Sequence, residues 1–482
     1  MKRKREFMMD NKVKSIFPEI AINKNKNSST LLKALELPAQ VSSWILMKFS
    51  DEKGRIDAYG ISEYVKNYRL KSDEWNIKLL EARHSKKGTI TLLTKVKIEF
   101  DYANDIICFS LPEYGFPKKA KEAQTDWSVV SEHKKELLTP DAAWGEITLM
   151  YDCGLVNMIS FKPLCPYTFD LNEYRACRKN FNVQEWIDIL LGSLNFNPAG
   201  FDSVEQKLTL LQRFLPFVEK RLNTIELATK GTGKSYCYSQ LSPDTWCVSG
   251  GTVTRATAFY DMTRKQVGYF GKYSQVIFDE VQTIKFPNPE EIGGALKSYL
   301  ESGEIRCGAF EGMSDAGLTL VGNIPVASMD TESGDMFKTL PKLFHESALV
   351  DRFHGIIEGW KIPRMNEDLK MEGWTLSTDY IVNMFDQLRD EFYYRAIIDE
   401  LIVPVGKADT RNLEAVKRLA TGFLKLLFPS VTKADDILPE DFKKYCLDPA
   451  LKMRGAVLSQ LKKLDVEYQD KDMPTIVVGG QE

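Results

Sequence analysis

The sequence lacks the features that mark metal-bound, secreted and membrane-embedded proteins. Its eight cysteines include no Cys-x-x-Cys pair and it has only four histidines, which argues against a structural zinc site and a disulfide framework. No apolar run is long enough to span a bilayer. The basic start at residues 1–5 is not followed by the apolar segment of a secretory signal. We therefore expect a protein of the reducing cytoplasm that does not contact membranes.

An excess of charge of one sign is also missing. The sequence has 64 Lys and Arg against 67 Asp and Glu, a formal net charge of −3. General attraction to nucleic acid is therefore weak, and any contact with DNA must come from local basic patches. The length of 482 residues exceeds one ordinary core. The sequence predicts a multidomain α/β protein.

A glycine-rich loop that ends in Lys-Ser is the most informative stretch. Residues 228–235 read Ala-Thr-Lys-Gly-Thr-Gly-Lys-Ser, which is typical of a phosphate-binding loop whose backbone N–H groups surround phosphate oxygens. The usual pattern begins with glycine, and Ala228 is a small substitute. Lys234 is predicted to reach the β- and γ-phosphates of ATP, and Ser235 to ligate Mg²⁺. The predicted nucleotide-binding loop residues are Thr229, Lys230, Gly231, Thr232, Gly233, Lys234 and Ser235.

Polar side chains follow two later apolar runs. Residues 276–280 end in Asp279 and Glu280, and residues 318–323 end in Asn323. The carboxyl ends of parallel strands meet at one edge of a sheet, so these side chains are expected beside the loop. Asp279 is predicted to hold Mg²⁺, Glu280 to activate the attacking water and Asn323 to position that water. The order of these motifs predicts an ATP hydrolase.

Two arginines complete the predicted nucleotide site. Arg352 follows an amphipathic stretch, and an arginine so placed commonly acts on the γ-phosphate of a neighbouring subunit. Residues 366–465 are predicted to form an all-helical lid over the nucleotide, since residues 413–428 carry a helical apolar stripe. Arg454 in this lid is predicted to sense phosphate, with an exposed helical cation as the alternative. Residues 466–482 are predicted to form a loose tail.

The first part of the chain shows a different pattern. Residues 1–30 are charged and rich in Asn and Lys, and they are predicted to be flexible. Residues 31–195 are predicted to form a mixed α/β DNA-binding domain, because a β-hairpin at 96–109 follows helical segments. Lys86 and Lys87 are its predicted DNA-binding residues, since small barrels with loop cations and aromatics bind nucleic acid. A solvated rim is the alternative.

The core predicted at residues 196–365 contains two inserts that read as hairpins. The first, at 257–270, places Arg264 and Lys265 at its turn, and the second runs from 305 through a turn at 312–315, with Arg306 as its cation. On a ring-forming ATPase both hairpins would point into the central pore. The first, with its basic turn, is the better candidate for gripping a DNA backbone, because the second has an acidic, polar turn. The alternative is a pair of surface hairpins without that role.

Several strings resemble the BrxL family, the Lon-related AAA+ proteins of bacterial BREX phage-defence systems. The likeness spans about residues 35–465 and rests on residues 138–144, 174–186, 276–281, 299–303, 321–324, 351–355, 359–363 and 421–429. The resemblance implies an MCM-like AAA+ motor that forms a hexamer or stacked hexamers, binds double-stranded DNA and acts with other phage-defence proteins.

Members of this family commonly carry a Lon-protease-like domain after the lid. The sequence ends soon after residue 465, so proteolysis is not expected of this polypeptide. Two other functions remain open. A nucleotide-switched clamp or scaffold would hold DNA without translocation, whereas a protein unfoldase would use aromatic pore residues such as 259–260 and 269–270. The basic Arg264-Lys265 turn favours DNA.

Overall fold

The structure is a computed structural model that describes residues 2–24, 37, 39–51, 54–71, 73–84, 88–119, 121–139, 142–152, 154–164, 169–239, 241–242, 244–330 and 334–479. The chain divides into two compact units. The small unit comprises Glu19–Thr168, and the large unit comprises Met1–Pro18 and Phe169–Glu482. None of the described helices is both long enough and apolar enough to cross a bilayer.

The α-helices in chain order are α1 (Lys2–Ile16), α2 (Ala39–Lys48), α3 (Ala58–Tyr68), α4 (Trp75–His84), α5 (Trp127–Glu132), α6 (Lys134–Leu137), α7 (Leu171–Arg178), α8 (Val183–Ser193), α9 (Val204–Leu211), α10 (Leu215–Val218), α11 (Lys234–Ser239), α12 (Arg255–Ala258), α13 (Pro289–Ser302), α14 (Ser347–Val350), α15 (Thr378–Arg389), α16 (Tyr393–Leu401), α17 (Thr410–Leu427), α18 (Pro439–Phe442) and α19 (Asp448–Leu464).

The β-strands in chain order are β1 (Ala21–Lys24), β2 (Thr89–Asp101), β3 (Ile106–Ser110), β4 (Ala123–Thr125), β5 (Ala143–Asp152), β6 (Leu155–Pro163), β7 (Thr224–Ala228), β8 (Thr245–Ser249), β9 (Tyr260–Asp261), β10 (Gln266–Val267), β11 (Gln275–Asp279), β12 (Glu304–Cys307), β13 (Phe310–Met313), β14 (Gly317–Asn323), β15 (Gly355–Glu358), β16 (Gly373–Leu376), β17 (Ile402–Pro404) and β18 (Ile476–Val478).

A closed five-stranded barrel forms the centre of the small unit. Its strand order is β2-β3-β4-β6-β5, and the pairs are antiparallel except for the parallel pair β4–β6. Alternate side chains, including Leu92, Val96 and Ile147, fill its interior. The hairpin predicted at 96–109 is confirmed. A small five-stranded barrel is the architecture that oligonucleotide-binding folds use.

A fully parallel sheet forms the centre of the large unit. Its order is β15-β7-β14-β11-β8, which is 5-1-4-3-2 when the strands are counted along the chain. Every residue of β7 and β11 is buried, as expected for strands covered on both faces. The order makes β7, β14 and β11 adjacent. The segments that follow their carboxyl ends therefore meet at one edge of the sheet.

The boundary between the units lies nearer residue 168 than the predicted 195. Helices α7 and α8 pack within the large unit, where the Trp186 indole N–H donates to the Leu426 carbonyl at 3.2 Å. Arg178 Nε likewise donates to the Leu427 carbonyl at 3.0 Å. Both partners lie about 240 residues later in the chain. A local apolar pattern carries no record of such distant contacts.

Both ends of the chain are more ordered than the sequence predicts. Within the first 30 residues, α1 packs through Val13 and Phe17, and the Phe17 ring stacks on Phe181 at 6.2 Å. Near the other end, β18 in the predicted loose tail pairs antiparallel with β17. The predicted lid at 366–465 is mainly helical, but it also contains β16 and β17. The prediction of an all-helical lid was therefore wrong in this respect.

Candidate nucleotide-binding site

The glycine-rich loop lies between β7 and α11, as the sequence predicts. Gly231 and Gly233 have φ angles of +85° and +75°, a left-handed conformation that glycine adopts without steric cost. Space is open where a Cβ atom of Gly231 would lie. Ala228 is fully buried, and a Cβ atom on Gly359 would lie 2.7 Å from the Ala228 Cβ. This close packing requires a small residue at the start of the loop.

Side chains from the start of α11 and from the ends of two adjacent strands, β11 and β14, converge beside this loop. Lys234 Nζ donates to the Thr229 carbonyl and to Asn323 Oδ1, both at 2.9 Å. The Ser235 hydroxyl donates to Asp279 Oδ2 at 2.8 Å. The predicted loop, acid and amide are therefore in direct contact. A hydroxyl and a carboxylate oxygen beside a phosphate-binding loop are hard ligands that fit Mg²⁺.

No carboxylate, histidine and cysteine cluster that could hold a metal ion alone occurs among the described residues. This suits Mg²⁺, which usually takes only one or two protein ligands and completes its shell with waters and phosphate oxygens. Burial lowers the pKa of Lys234, and the carboxylates of Glu226 and Asp279 counteract that effect. A phosphate at the loop would further favour the charged ammonium. The donor set therefore fits a nucleotide with its metal.

Glu280 has an uncommon backbone conformation at the end of β11. Its φ and ψ of +48° and +47° are left-handed for a residue that is not glycine, which costs on the order of 1–3 kcal/mol. Its N–H donates to Asp279 Oδ1 at 2.9 Å, and its carbonyl accepts from the N–H and hydroxyl of Thr283. These bonds hold the turn and leave the side chain exposed. The strained turn supports a functional role for Glu280.

Arg352 lies beside the amino ends of the parallel strands, whereas the loop of its own chain follows a carboxyl end. It precedes β15, whose first residue Gly355 pairs with Thr224 at the amino end of β7. The loop follows the carboxyl end of β7, so the length of that strand, about 13 Å, separates the two. Arg352 Nε lies 3.0 Å from Glu301 without forming a hydrogen bond to it. The contact is therefore an ion pair without a hydrogen bond at Nε.

The Arg352 side chain lines a cavity of about 500 Å³ that is rich in cations. We call this cavity the arginine pocket, and its cationic lining residues are Arg221, Arg352, Arg411, Arg418 and Lys471. Arg411 pairs with Asp351 at 2.7 Å and with Glu301 at 3.2 Å. Glu301 therefore contacts both arginines at once. The sequence contains the string 299–303 but gives no sign of this role.

The structure does not place Arg454 at the phosphate loop. Its guanidinium is buried, pairs with Asp351 at 2.5 Å and donates to the Phe353 carbonyl at 2.7 Å. Arg454 therefore lies near the arginine pocket, beside the amino ends of the strands and away from the loop. Burial alone would raise the pKa of Asp351, but the Arg454 and Arg411 guanidiniums outweigh it and hold that pKa below its usual value. Arg454 positions the Asp351-Arg352 segment instead.

His354 adds a pH dependence to the same segment. Its N–H donates to the Asn223 carbonyl at 2.8 Å through the backbone, and its Nδ1 accepts the Asn223 N–H at 2.9 Å. Burial, together with Arg418 and Arg454, lowers the pKa of His354 well below its usual value. Below pH about 6.5 His354 binds a proton in the unfolded chain but not in the folded chain, so the free energy of unfolding decreases as the pH falls. We expect the urea midpoint to fall as pH drops from 7.5 to 5.5.

The control for this expectation is His354→Asn, in which the side chain cannot take up a proton. The variant should show a smaller decline of the urea midpoint over the same pH range. An unchanged slope in the variant would assign the pH dependence to other groups. The comparison is made at constant ionic strength, because salt also alters the charge interactions in the arginine pocket.

A buried ion pair supports the loop from behind. Arg213 and Glu226 have fully buried side chains and form two hydrogen bonds, at 2.6 and 3.0 Å. Arg213 Nη1 also donates to the Thr232 carbonyl at 3.0 Å, and the Tyr238 hydroxyl donates to Glu226 at 2.8 Å. Burial would lower the pKa of Arg213, but Glu226 outweighs it and raises that pKa. The sequence does not reveal this pair.

The first predicted hairpin is present as β9 and β10. Asp261 Oδ1 accepts the backbone N–H groups of Thr263 and Arg264 at 2.9 and 3.0 Å. Lys265 follows with a φ of +52°, which completes the tight turn. The Arg264 side chain is 77% exposed, and its nearest ion-pair partner is Asp261 at 4.0 Å. The hairpin therefore presents the two predicted cations at its end.

The second hairpin, β12 and β13, turns at a different place from the prediction. The strands pair from Glu304–Met313 to Cys307–Phe310, so the turn lies at Gly308 and Ala309. Residues 312–313 belong to the second strand instead. Arg306 lies within β12 and pairs with Glu304 at 2.9 Å. The prediction of a turn at 312–315 was wrong because the chain reverses earlier, at Gly308, whose φ of +62° is the left-handed conformation that glycine adopts readily.

The aromatic residues of these inserts are mostly used for packing. The Phe259 and Phe270 rings are buried and stack on each other at 4.9 Å. The Tyr260 ring stacks on Phe310 of the second hairpin at 4.1 Å with an interplanar angle of 7°. The two hairpins are thereby joined. Of the other predicted DNA-binding residues, Lys86 and Lys87 lie outside the described residues.

Comparisons with known proteins identify the family of this chain. A family model described as "Lon-like protease BrxL-like, ATPase domain" matches residues 156–474, and one described as "BREX system Lon protease-like protein BrxL N-terminal" matches residues 15–151. A protein of Escherichia coli O9:H4 (strain HS) named Lon-like protease BrxL is 32% identical over 404 residues, which cover 81% of this chain and 56% of that protein.

A second relative has the same printed name. The Lon-like protease BrxL of Bacillus cereus (strain H3081.97) is 33% identical over 315 residues, which cover 64% of this chain and 45% of that protein. The chain thus spans about half the length of the curated relatives it matches. The resemblance seen in the sequence is confirmed by both family models. The chain belongs to the BrxL family, with the N-terminal and ATPase domains of that family.

Proposed function

We propose that this protein is a ring-forming AAA+ ATPase that couples ATP hydrolysis to movement along DNA or to its remodelling, in bacterial defence against phage. The observation that carries the hydrolase is the direct contact of Lys234 with Asn323 and of Ser235 with Asp279. The 5-1-4-3-2 parallel sheet supports the AAA+ assignment. Family membership supports a place in BREX-type defence.

Each side chain has a distinct role in this proposal. Lys234 binds the β- and γ-phosphates, and its bond to Asn323 fixes the amide next to the γ-phosphate position. Ser235 and Asp279 hold Mg²⁺, which when bound neutralises phosphate charge. Glu280 accepts a proton from the attacking water, and Asn323 orients that water. The proton moves from the water oxygen to a Glu280 carboxylate oxygen as the water attacks the γ-phosphorus. The bond between that phosphorus and the β,γ-bridging oxygen breaks, and ADP leaves with the bridging oxygen and its electron pair.

The neighbouring subunit supplies the remaining cation. Arg352 lies a strand length from its own loop, which suits action on the nucleotide of the next subunit in a ring. The ammonium and guanidinium groups of the arginine pocket would face that neighbour. A homo-oligomer, a hexamer or stacked hexamers, is therefore part of the proposal. The protein would act in the cytoplasm together with other phage-defence proteins.

Double-stranded DNA is the proposed polymer because the first hairpin ends in exposed cations. Arg264 and Lys265 can contact phosphates without reading bases. Arg306 is paired with Glu304 within β12, so it contributes less. A protein unfoldase is less favoured, because Phe259 and Phe270 are buried in the core and are not available to grip a polypeptide. A nucleotide-switched clamp or scaffold that holds DNA without translocation is the second candidate.

The test is steady-state ATP hydrolysis with and without double-stranded DNA, with Lys234→Ala as the inactive reference. We expect DNA to stimulate hydrolysis and Arg264→Ala/Lys265→Ala to lose that stimulation while keeping the basal rate. Each lost phosphate contact should also reduce the salt dependence of DNA binding by about one unit of log–log slope. The control is Lys443→Ala/Lys444→Ala, which removes two adjacent exposed lysines elsewhere in the large unit.

The outcomes separate the candidate functions. Stimulation that survives in Arg264→Ala/Lys265→Ala would remove the first hairpin from the DNA contact. A rate of ATP hydrolysis that is unchanged by DNA but increased by unfolded protein would favour the unfoldase. DNA retention without strand displacement or movement would favour the clamp. Absence of hydrolysis in the wild-type protein above the Lys234→Ala reference would contradict the enzyme itself.

A further inference from the structure

The small unit exposes three aromatic rings at one end of its barrel. Phe100 lies at the end of β2, Tyr102 in the turn that follows, and Trp127 at the start of α5 just after β4. Their exposed fractions are 37%, 89% and 50%. Strand pairing brings them together, because β3 pairs with both β2 and β4. We call Phe100, Tyr102 and Trp127 the aromatic platform.

The rings of the aromatic platform are arranged as neighbours. Phe100 and Tyr102 stack with centroids 5.9 Å apart and planes 24° apart, and Phe100 lies 6.4 Å from Trp127 at 55°. The pairing of β2 with β5 ends at Val96, while its pairing with β3 continues to Asp101. The hairpin end therefore extends past the paired body of the barrel. A projecting group of aromatic rings is typical of a contact surface.

Charges of both signs surround the aromatic platform. Lys134 Nζ lies 5.2 Å from the Trp127 ring centroid, a cation–π distance, and Lys121 pairs with Asp101 at 3.5 Å. Asp101 Oδ1 also accepts the backbone N–H groups of Ala103 and Asn104, which shapes the turn. Carboxylates therefore offset the cations here. This surface provides ring faces together with a few cations, without a strongly positive field.

We propose that the aromatic platform binds the unpaired bases of a single nucleic-acid strand by stacking. Base faces are free only where a strand is unpaired, whereas a duplex covers them by its own stacking. Aromatic side chains on small five-stranded barrels suit such contacts, and every base offers a face whatever its identity. Lys134 and Lys121 lie where they can contact backbone phosphates.

This inference extends the proposed function to strands that are opened or already single, in DNA or in RNA. The experiment uses the full chain and measures fluorescence anisotropy of labelled oligo(dT), oligo(U) and a duplex of equal length. Tyr102→Ala and Trp127→Ala should each weaken oligo(dT) binding by about tenfold and change duplex binding by less than about twofold. Tyr102→Phe should keep the wild-type affinity. The control is Tyr59→Ala, which removes an equally exposed tyrosine of the same unit.

The outcomes are distinct. Loss on oligo(dT) and oligo(U) alike supports the inference for any unpaired strand, and loss on one of them supports it for that polymer. Unchanged binding in both variants, or equal loss on the duplex, overturns it. A changed sedimentation coefficient with unchanged oligonucleotide binding also overturns it and makes the platform a protein interface. Duplex-stimulated ATP hydrolysis by the wild-type protein tests the proposed function separately, so stimulated hydrolysis together with unchanged oligonucleotide binding in the variants overturns this inference alone.

Discussion

Replacing Arg352 by alanine is expected to lower the turnover of ATP by about 10³-fold or more while leaving ATP binding intact. We expect turnover to fall without a loss of ATP binding because Arg352 lies beside the amino ends of the strands, whereas the loop of its own chain follows a carboxyl end. In the proposed ring, its charge would act only when the next subunit presents a nucleotide. Turnover is measured by phosphate release, and ATP binding by titration with a fluorescent nucleotide.

Mixing variants tests whether Arg352 acts between subunits. Arg352→Ala subunits keep an intact loop, and Lys234→Ala subunits keep an intact Arg352. A mixture of the two inactive proteins should therefore regain part of the wild-type turnover. The Arg55→Ala variant, which removes a 77%-exposed arginine of the small unit, is the control and should hydrolyse normally. Mixtures without recovery, or near-normal turnover in Arg352→Ala, would refute this role.

The second large effect is expected at the buried pair behind the loop. Arg213→Met leaves the Glu226 carboxylate buried without its countercharge, which costs about 3–5 kcal/mol of unfolding free energy. The urea midpoint of the large unit should fall by about 1 M or more. The Thr232 carbonyl also loses its donor, so the KM for ATP should rise in the protein that still folds.

A double substitution separates the charge effect from packing. Arg213→Met/Glu226→Leu removes both charges, so its urea midpoint should recover most of the loss. Lys297→Met breaks the surface pair between Lys297 and Glu346 and should cost no more than about 1 kcal/mol. If the double variant is as unstable as Arg213→Met, loss of shape rather than an unpaired charge explains the instability.

The parts of the site that follow from local sequence could be predicted. Lys234, Ser235, Asp279 and Asn323 each end or follow an apolar run, and parallel strands bring such ends together. Arg454 could not be placed in this way. Its position is decided by Asp351 and Asn412, which are distant in sequence. A helical cation looks the same in a sequence whether it reaches a phosphate or a buried carboxylate.

Fold predictions failed where distant segments decide the local structure. Apolar residues at spacings of three and four over 204–222 are typical of one helix. The structure instead has α9, a 3-10 turn and α10 in this stretch, and the apolar stripe remains buried through the break. The short strand β18 exists because β17 offers it a partner. Nothing in the three residues of β18 requires that pairing. The spacing of apolar residues in the sequence indicates which side chains are buried, but it does not indicate which residues pack against them.

The stacked rings of Tyr260 and Phe310 have a mechanical consequence. They tie the first hairpin, which precedes β11, to the second, which precedes β14. A ring stack of this kind adds about 0.5–1.5 kcal/mol to the packing, so the two hairpins resist sliding past each other. A force on the end of either hairpin would therefore be transmitted to both β11 and β14. In the proposed motor, the polymer load would thus be carried jointly by the strand that ends in Asp279 and the strand that ends in Asn323.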